Sequence, residues 1–288
     1  MTLSVVIITY NEEANIGRTL KSVLPLVANG QGEIIVVDSH STDRTVEIAR
    51  EHGAQVFVEE WKGYAGQKNS AIAKAKGDWI LSLDADEEVE TGLVSEIATI
   101  VGVEPADAAS SAVKGKPWCL TLENPRPLPP SANETHSYWI PRKNLFLGRW
   151  IRHGGFWPDR KLRLFRQGTG NIAERAVHEV VTVDGLTRGL QHALLHHAYP
   201  TLSSYTGHMN RYASLGAEMA VADGRSGFSF LDVVVRPFAT FLYKYFFRLG
   251  FLDGREGLLL NLYHAVYVSW KYAKVWELSR SKTPMTHD

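Results

Sequence analysis

Residues 77–90 read GDWILSLDADEEVE: a run of large apolar side chains from Trp79 to Leu83, broken by one serine, passes directly into Asp84, Asp86, Glu87, Glu88 and Glu90. The run has the composition of a strand covered on both faces. Carboxylates this close repel one another, so the cluster stays in open water or is held by a cation or polar ligand. Asp84 and Asp86 stand two apart at the strand's exit, so their side chains leave the same side of the chain. Hard divalent cations such as Mg²⁺ or Mn²⁺ take oxygen ligands, often only one or two carboxylates when a phosphate supplies the rest. One reading of the acidic knot is a seat for a metal and a diphosphate. The other is a solvated helix N-terminus, where Glu87, Glu88 and Glu90 favour the macrodipole. For those three glutamates the solvated reading is the expectation.

Upstream, LSVVIITY (3–10) and EIIVVD (33–38) are further buried strands, and AQVFVEE (54–60) alternates as another. Between them, Ile16, Leu20, Val23 and Leu24 fall at helical spacing, with Asn11 as expected N-cap and Glu12 and Glu13 in the first turn. STDRTVEIAREHG reads as a helix closed by Gly53, its start capped by Ser41 or Thr42 with Asp43, and GQKNSAIAKAKG as another. Strand and helix therefore alternate through about the first hundred residues, which implies an α/β fold with a mostly parallel sheet. Ligands of such sheets gather at the carboxyl ends of the strands, where Thr9, Tyr10, Asn11, Asp38 and Asp84 all lie. Neither G-x-G-x-x-G nor G-x-x-x-x-G-K-[ST] occurs, so the dinucleotide and ATPase phosphate signatures are absent. Lys68 sits near a helix start, where a phosphate would be welcome; a lone lysine there is otherwise simply solvated.

The 288 residues suit one large domain or slightly more, and 44% hydrophobic with 22% charged residues is an ordinary globular balance. Lys plus Arg and Asp plus Glu both number 31, which argues against a nucleic-acid partner. The lone Cys119 excludes an internal disulfide and fits a reducing compartment. No signal peptide is indicated, and the apolar-rich uncharged run Gly257 to Trp270 is too short to span a bilayer, so a cytoplasmic location is expected. Residues 102–136 are rich in proline and polar side chains and read as a long surface loop. SYWIPRKNLFLG, KLRLF, HEVVTVDG and LQHALLHHAY follow as short strands, then a helix over 202–222. His196 and His197 alternate across the last strand, so at most one faces a site, and both read as structural. Two amphipathic helices close the chain. In the first, Phe238, Phe241, Leu242, Tyr245 and Leu249 share one face, and Arg236, Thr240, Lys244 and Arg248 recur every four residues on another. Such a hairpin binds an anionic membrane surface, or packs on the domain or a second subunit as a homo-oligomer; periodicity alone does not separate these.

The segments SVVIITYNEEANIGRTLKSV, IIVVDSHSTDRTVEIA and GYAGQKNSAIAKAKGDWILSLDADEEV resemble the nucleotide-binding half of family 2 inverting glycosyltransferases of the GT-A fold. RKNLFLGRWIRHGGFWPDRKLRLF and ERAVHE are similar to the subgroup that places glucose β-1,4 on a lipopolysaccharide core heptose. The resemblance implies four regions: 1–101 for nucleotide-sugar binding, an insertion at 102–136, an acceptor-binding half at 137–225, and helices over 226–288. It implies that Thr9, Tyr10, Asn11 and Glu12 border the nucleoside of a UDP-sugar and that Asp38 reads uracil or ribose. Lys68 would approach the base or diphosphate, Asp84 and Ala85 the ribose and donor sugar, and Asp86 the metal. Inversion needs a base opposite the leaving group, and the family pattern places it at Glu179, with Glu174 in reserve. His178 would ligate the metal or orient Glu179.

Five Arg or Lys residues mix with aromatics in RWIRHGGFWPDRKLRLF. Arg149, Arg152, His153, Arg160, Lys161 and Arg163 are candidates for acceptor phosphates or acidic sugars, and Trp150, Phe156 or Trp157 for stacking on sugar rings. The same stretch also reads as buried aromatics with solvated arginines. A glycolipid acceptor is expected; a polyprenyl-linked sugar or protein side chain is the alternative, and a non-catalytic sugar-nucleotide binder the rival from another class.

Overall fold

The computed structural model describes residues 2–104, 135–173, 180–183 and 185–281. Most of the expected 102–136 loop, including Cys119, lies outside them, as do Glu174, His178 and Glu179.

Strands β1 (Leu3–Thr9), β2 (Gly32–Asp38), β3 (Gln55–Val58) and β4 (Trp79–Asp84) are parallel, in the order β3-β2-β1-β4. Helices α1 (Ile16–Val27), α2 (Thr45–Glu51) and α3 (Gly63–Lys74) connect them. Strand alternation divides the apolar side chains between two cores, as a sheet buried on both faces requires. Leu3, Val5 and Ile7 of β1, with Leu81 and Leu83 of β4, pack with α1; Val6 and Ile80 pack on the other face with Ala71 of α3.

Past β4 the chain departs from expectation. Glu87–Val89 is not a helix start but a short strand, β5, and helix α4 (Thr91–Val101) begins after it. Strands β6 (Thr135–Phe146), β7 (Arg149–Trp150), β8 (Asp159–Arg166), β11 (Leu186–Gly189) and β12 (Leu194–Tyr199) complete a ten-stranded mixed sheet among the described residues, whose path ends β4-β8-β6-β12-β5. Only Ala85 and Asp86 separate β4 from β5, a reach of about 10 Å. Yet β8, β6 and β12 lie between them in the sheet, so it must curl until β12 returns to the exit of β4. The curl encloses the acidic knot. Strands β9 (Gly170–Ala173) and β10 (Val180–Val183) form a separate antiparallel ribbon, and Asn69 of α3 bonds both backbone groups of Ile172 (2.8 and 3.2 Å).

Helix α5 (Leu202–Ala222), opened by a Thr201–Ser204 capping box, runs where the sequence places it. The first C-terminal helix is α6 (Arg236–Leu242) lengthened by π turns at Leu231–Val235 and Tyr243–Phe247; α7 (Gly254–Ser281) returns against it and α5. Phe146, Ile151, Tyr205 and Leu260 join this helical unit to the sheet. Asn11 is not a helix cap: α1 starts at Ile16 with Asn15 before it.

Candidate active site

The loops leaving β1 and β2 are stitched together side chain to backbone. Asp38, fully buried, accepts hydrogen bonds from the Thr9 hydroxyl (2.8 Å), from Ser41 N (2.8 Å) and from the Ser41 hydroxyl. Asn11 N donates to Ser41 Oγ (2.8 Å), Glu12 N to Thr45 Oγ1 (2.7 Å) and Glu13 N to Asp43 Oδ2 (3.1 Å). Asn11 holds a left-handed φ of 53°, tolerated because its short side chain bonds locally: Oδ1 accepts from Thr42 N at 2.8 Å. Asp38 therefore shapes the loop pair, while Tyr10 between the loops is exposed. Ser41 serves Asp38 rather than capping α2; Asp43 bonds Thr45 N (3.0 Å) at that helix's start.

The curl supplies internal cations to the acidic knot. Arg163 of β8 donates to Asp84 Oδ2 and to Glu87 Oε1 (2.7 Å). Arg142 of β6 reaches Glu87 Oε1 (3.1 Å) and Asp159 Oδ2 (2.7 Å), and Lys68 of α3 lies 2.9 Å from Asp84 Oδ1. Glu87 is fully buried and its other oxygen accepts Asp84 N at 3.0 Å. Burial alone would raise the Asp84 carboxyl, but Arg163 and Lys68 outweigh it and hold it well below the usual carboxylate range. The expectation of solvated glutamates fails for Glu87. Lys68 is likewise buried rather than solvated, and Arg163 points into this rim instead of towards an acceptor.

Asp86 stands apart from this network. Among the described residues its ion-pair partner is His196, with Nε2 3.3 Å from Oδ2. Burial would raise the Asp86 carboxyl; the hydrogen bond and charge of His196 lower it instead. Asn144 donates its amide to Asp159 (3.2 Å), which leaves Oδ1 to accept from His196 Nδ1 at 2.7 Å. His196 thus presents its Nε2 to Asp86, so that a ring nitrogen and a carboxylate oxygen face the same space. Glu12 faces the same space: burial, and then repulsion from Asp86, Asp43 and Asp84, raise its carboxyl against a bond from Asn15. The structural reading holds for His197, whose Nε2 meets Glu88 at 3.0 Å, but His196 belongs to the rim. Ala85 is buried, its carbonyl taken by Thr19 Oγ1 at 2.7 Å. No cluster of three or more His, Cys, Asp or Glu suited to a metal occurs among the described residues.

The aromatic-basic stretch is fastened to the helical unit. Buried Asp253 accepts from Arg152 N (3.2 Å) and His153 N (2.7 Å) and meets His153 Nδ1 (3.0 Å). Arg149 pairs with Glu256 at 3.6 Å. Trp150 carries Arg152 and Lys143 over its ring (4.1 and 4.8 Å) and Trp157 at its edge (5.1 Å). Phe156 lies under Lys244 (4.2 Å) in an apolar cluster, so its ring is structural. Arg152 and Arg160 remain exposed.

An α/β sheet with ionised carboxylates at the carboxyl rim of its parallel strands defines a ligand-binding class. Residues 4–167, more than half of the chain, match the model of glycosyl transferase family 2, and the chain belongs to that family. Its sheet with flanking helices and helical C-terminal region is the GT-A arrangement expected from the sequence. The lipopolysaccharide core biosynthesis glycosyltransferase LpsC of Rhizobium meliloti is 26% identical over 284 residues, 96% of this chain and 93% of that protein. An uncharacterized glycosyltransferase of Rickettsia bellii is 49% identical over 105 residues, 36% of this chain; the match spans only 34% of that relative's length. Among solved structures, S. aureus TarS 1–349 in complex with UDP-GlcNAc is 14% identical over 100% of this chain and 94% of that one, with a TM-score of 0.48.

Proposed function

We propose that the protein is an inverting, metal-assisted glycosyltransferase that moves a hexose, glucose in the first instance, from a UDP-sugar to a heptose of a lipopolysaccharide core. Family membership supports the chemistry, and the near full-length similarity to a protein named for lipopolysaccharide core biosynthesis supports the acceptor. One observation carries the site: Asp86 is ionised without a lysine or arginine partner among the described residues, beside an Asp84 that Lys68 and Arg163 already neutralise.

Asp86 and His196 fit a Mg²⁺ or Mn²⁺ ion as oxygen and nitrogen donors, with His178 as the further candidate and the diphosphate oxygens completing the shell. When bound, the ion supplies positive charge where the leaving diphosphate gains negative charge. Asp84, clamped by Lys68 and Arg163, offers a fixed carboxylate edge to ribose or sugar hydroxyls. Thr9 to Glu12 and Asp38 form the nucleoside border through the stitched loops. The acceptor hydroxyl oxygen forms the new bond to the anomeric carbon as the carbon–oxygen bond to the diphosphate breaks. The leaving UDP keeps that electron pair, and Glu179 takes the acceptor proton, with Glu174 in reserve. Asn69 of α3, one residue from Lys68, bonds Ile172 of β9. Arg149, Arg152, His153 and Trp157 would border the acceptor.

Incubation with a panel of UDP-sugars and truncated core oligosaccharides, read by product mass, tests this. One hexose should be added, and Glu179→Gln should lose about a hundredfold or more of turnover while binding UDP as before. No product from any pair, or full turnover in Glu179→Gln, would overturn the reading.

A further inference from the structure

The helical unit leaves a long apolar stripe uncovered. Leu231, Val235, Phe238, Tyr243, Phe246 and Phe247 are all exposed, Phe238 by 64% and Phe247 by 78%. Steps of three to five residues from Leu231 to Phe246, with Phe247 directly after, set them along a helix about 25 Å long. The π turn at Tyr243–Phe247 adds a residue to the helical step. Leu249, Phe251 and Leu252 continue the exposed surface beyond the helix end. The opposite side is occupied: Pro237 is buried, and Ser269 of α7 donates to Val233 O at 2.8 Å. A contiguous exposed patch of this kind marks an interaction site.

Charge selects the partner. The carboxylates of this region are all engaged: Asp232 with Arg236 (2.7 Å), Asp253 beneath the 152–153 loop, and Glu256 with Arg149. Arg248 and Arg255 are exposed at the end of the stripe and, among the described residues, have no carboxylate partner. Apolar aromatic surface edged by free arginines complements an anionic lipid surface, where rings enter the acyl boundary and guanidinium groups meet phosphates. No helix among the described residues is long and apolar enough to cross a bilayer, so such a stripe would lie in the interface. Its end is fixed to the acceptor loop: Gly154 N donates to Arg248 O (2.8 Å), and Lys244 Nζ to Gly154 O (3.1 Å).

We propose that the stripe from Leu231 to Leu252 docks this protein on an anionic membrane surface and holds the 149–157 loop at the level of lipid-linked acceptor headgroups. The acceptor clause rests on the function proposed above; the docking does not. Lys244, which the sequence pattern places among the cations facing lipid, instead anchors the loop, so its removal is not a test of docking.

Vesicles of phosphatidylethanolamine with phosphatidylglycerol, and vesicles of phosphatidylcholine alone, are sedimented with the full chain and with the double variant Phe238→Glu, Phe247→Glu. The wild type should bind the anionic vesicles more strongly. The double variant should bind at least about tenfold more weakly, with unchanged UDP binding and unchanged transfer to a soluble, lipid-free core oligosaccharide. Wild type left in the supernatant, or a variant that binds equally, would overturn the proposal. So would sedimentation of the lipid-free wild type as a dimer and the variant as a monomer, which would assign the stripe to a second copy. Failure to bind UDP by a wild type that binds vesicles would count against the glycosyl-transfer reading alone.

Discussion

Glu87 carries a full charge into the interior between Arg142 and Arg163, and such a pair holds only while its members are all present. Arg163→Met would leave Asp84 short of a cation and Glu87 half-compensated in a buried place. It should cost about 3–5 kcal/mol in denaturant unfolding. Lys143→Met, which removes a partly exposed partner of Glu90, should cost no more than about 1 kcal/mol. Equal losses would show that the buried network is not what holds the rim. At this scale the carboxylates were legible and their partners were not. Asp84 and Asp86 announce themselves as acids at a strand exit. Arg142, Arg163 and His196 sit in alternating strands whose period tells which side chains share a face, but not which distant strand they meet. The one available signal was an arginine enclosed by large apolar residues in KLRLF.

Elements built on local periodicity lie close to where the sequence puts them: β1, β2, β4 and α5 agree in type and nearly in boundary. Where long-range pairing decides, the reading fails. Glu87–Val89 has a helix-start composition, yet its register with His196–Leu194 makes it a strand. The helical unit carries its own pH signature. His264 of α7 lies edge-on to Phe156, 5.8 Å between ring centres. Burial, and then the Lys244 charge, lower its pKa from 6.5 to about 4. The folded state thus holds His264 neutral, whereas the unfolded chain takes up a proton first as pH falls. Its contribution is full above pH 6.5 and is lost progressively between 6.5 and about 4. Urea unfolding should therefore show wild type losing about 2 kcal/mol more than His264→Gln between about pH 7 and about pH 5. Parallel pH curves for the two proteins would contradict that assignment.

At the scale of the molecule, the curl of the sheet explains how an acidic rim persists in a chain of zero net charge. It brings cations from β6, β8 and α3 to Asp84 and Glu87, and leaves Asp86 paired with His196 among the described residues. The proposed metal seat therefore rests on Asp86 rather than on Asp84 or Glu87. The family was legible because its motifs lie at strand exits, where sequence order and ligand geometry coincide. Amphipathy of the first C-terminal helix was legible, but the side turned outward depended on packing: of the expected face, Phe238 and Leu249 are exposed, whereas Phe241, Leu242 and Tyr245 are partly buried. Calorimetric titration of UDP into wild type and Asp86→Ala, each with and without Mn²⁺, tests this central division most directly. Wild type should bind UDP more tightly with Mn²⁺, and Asp86→Ala should lose that increment while staying folded. Equal Mn²⁺-dependent binding in both proteins would contradict it.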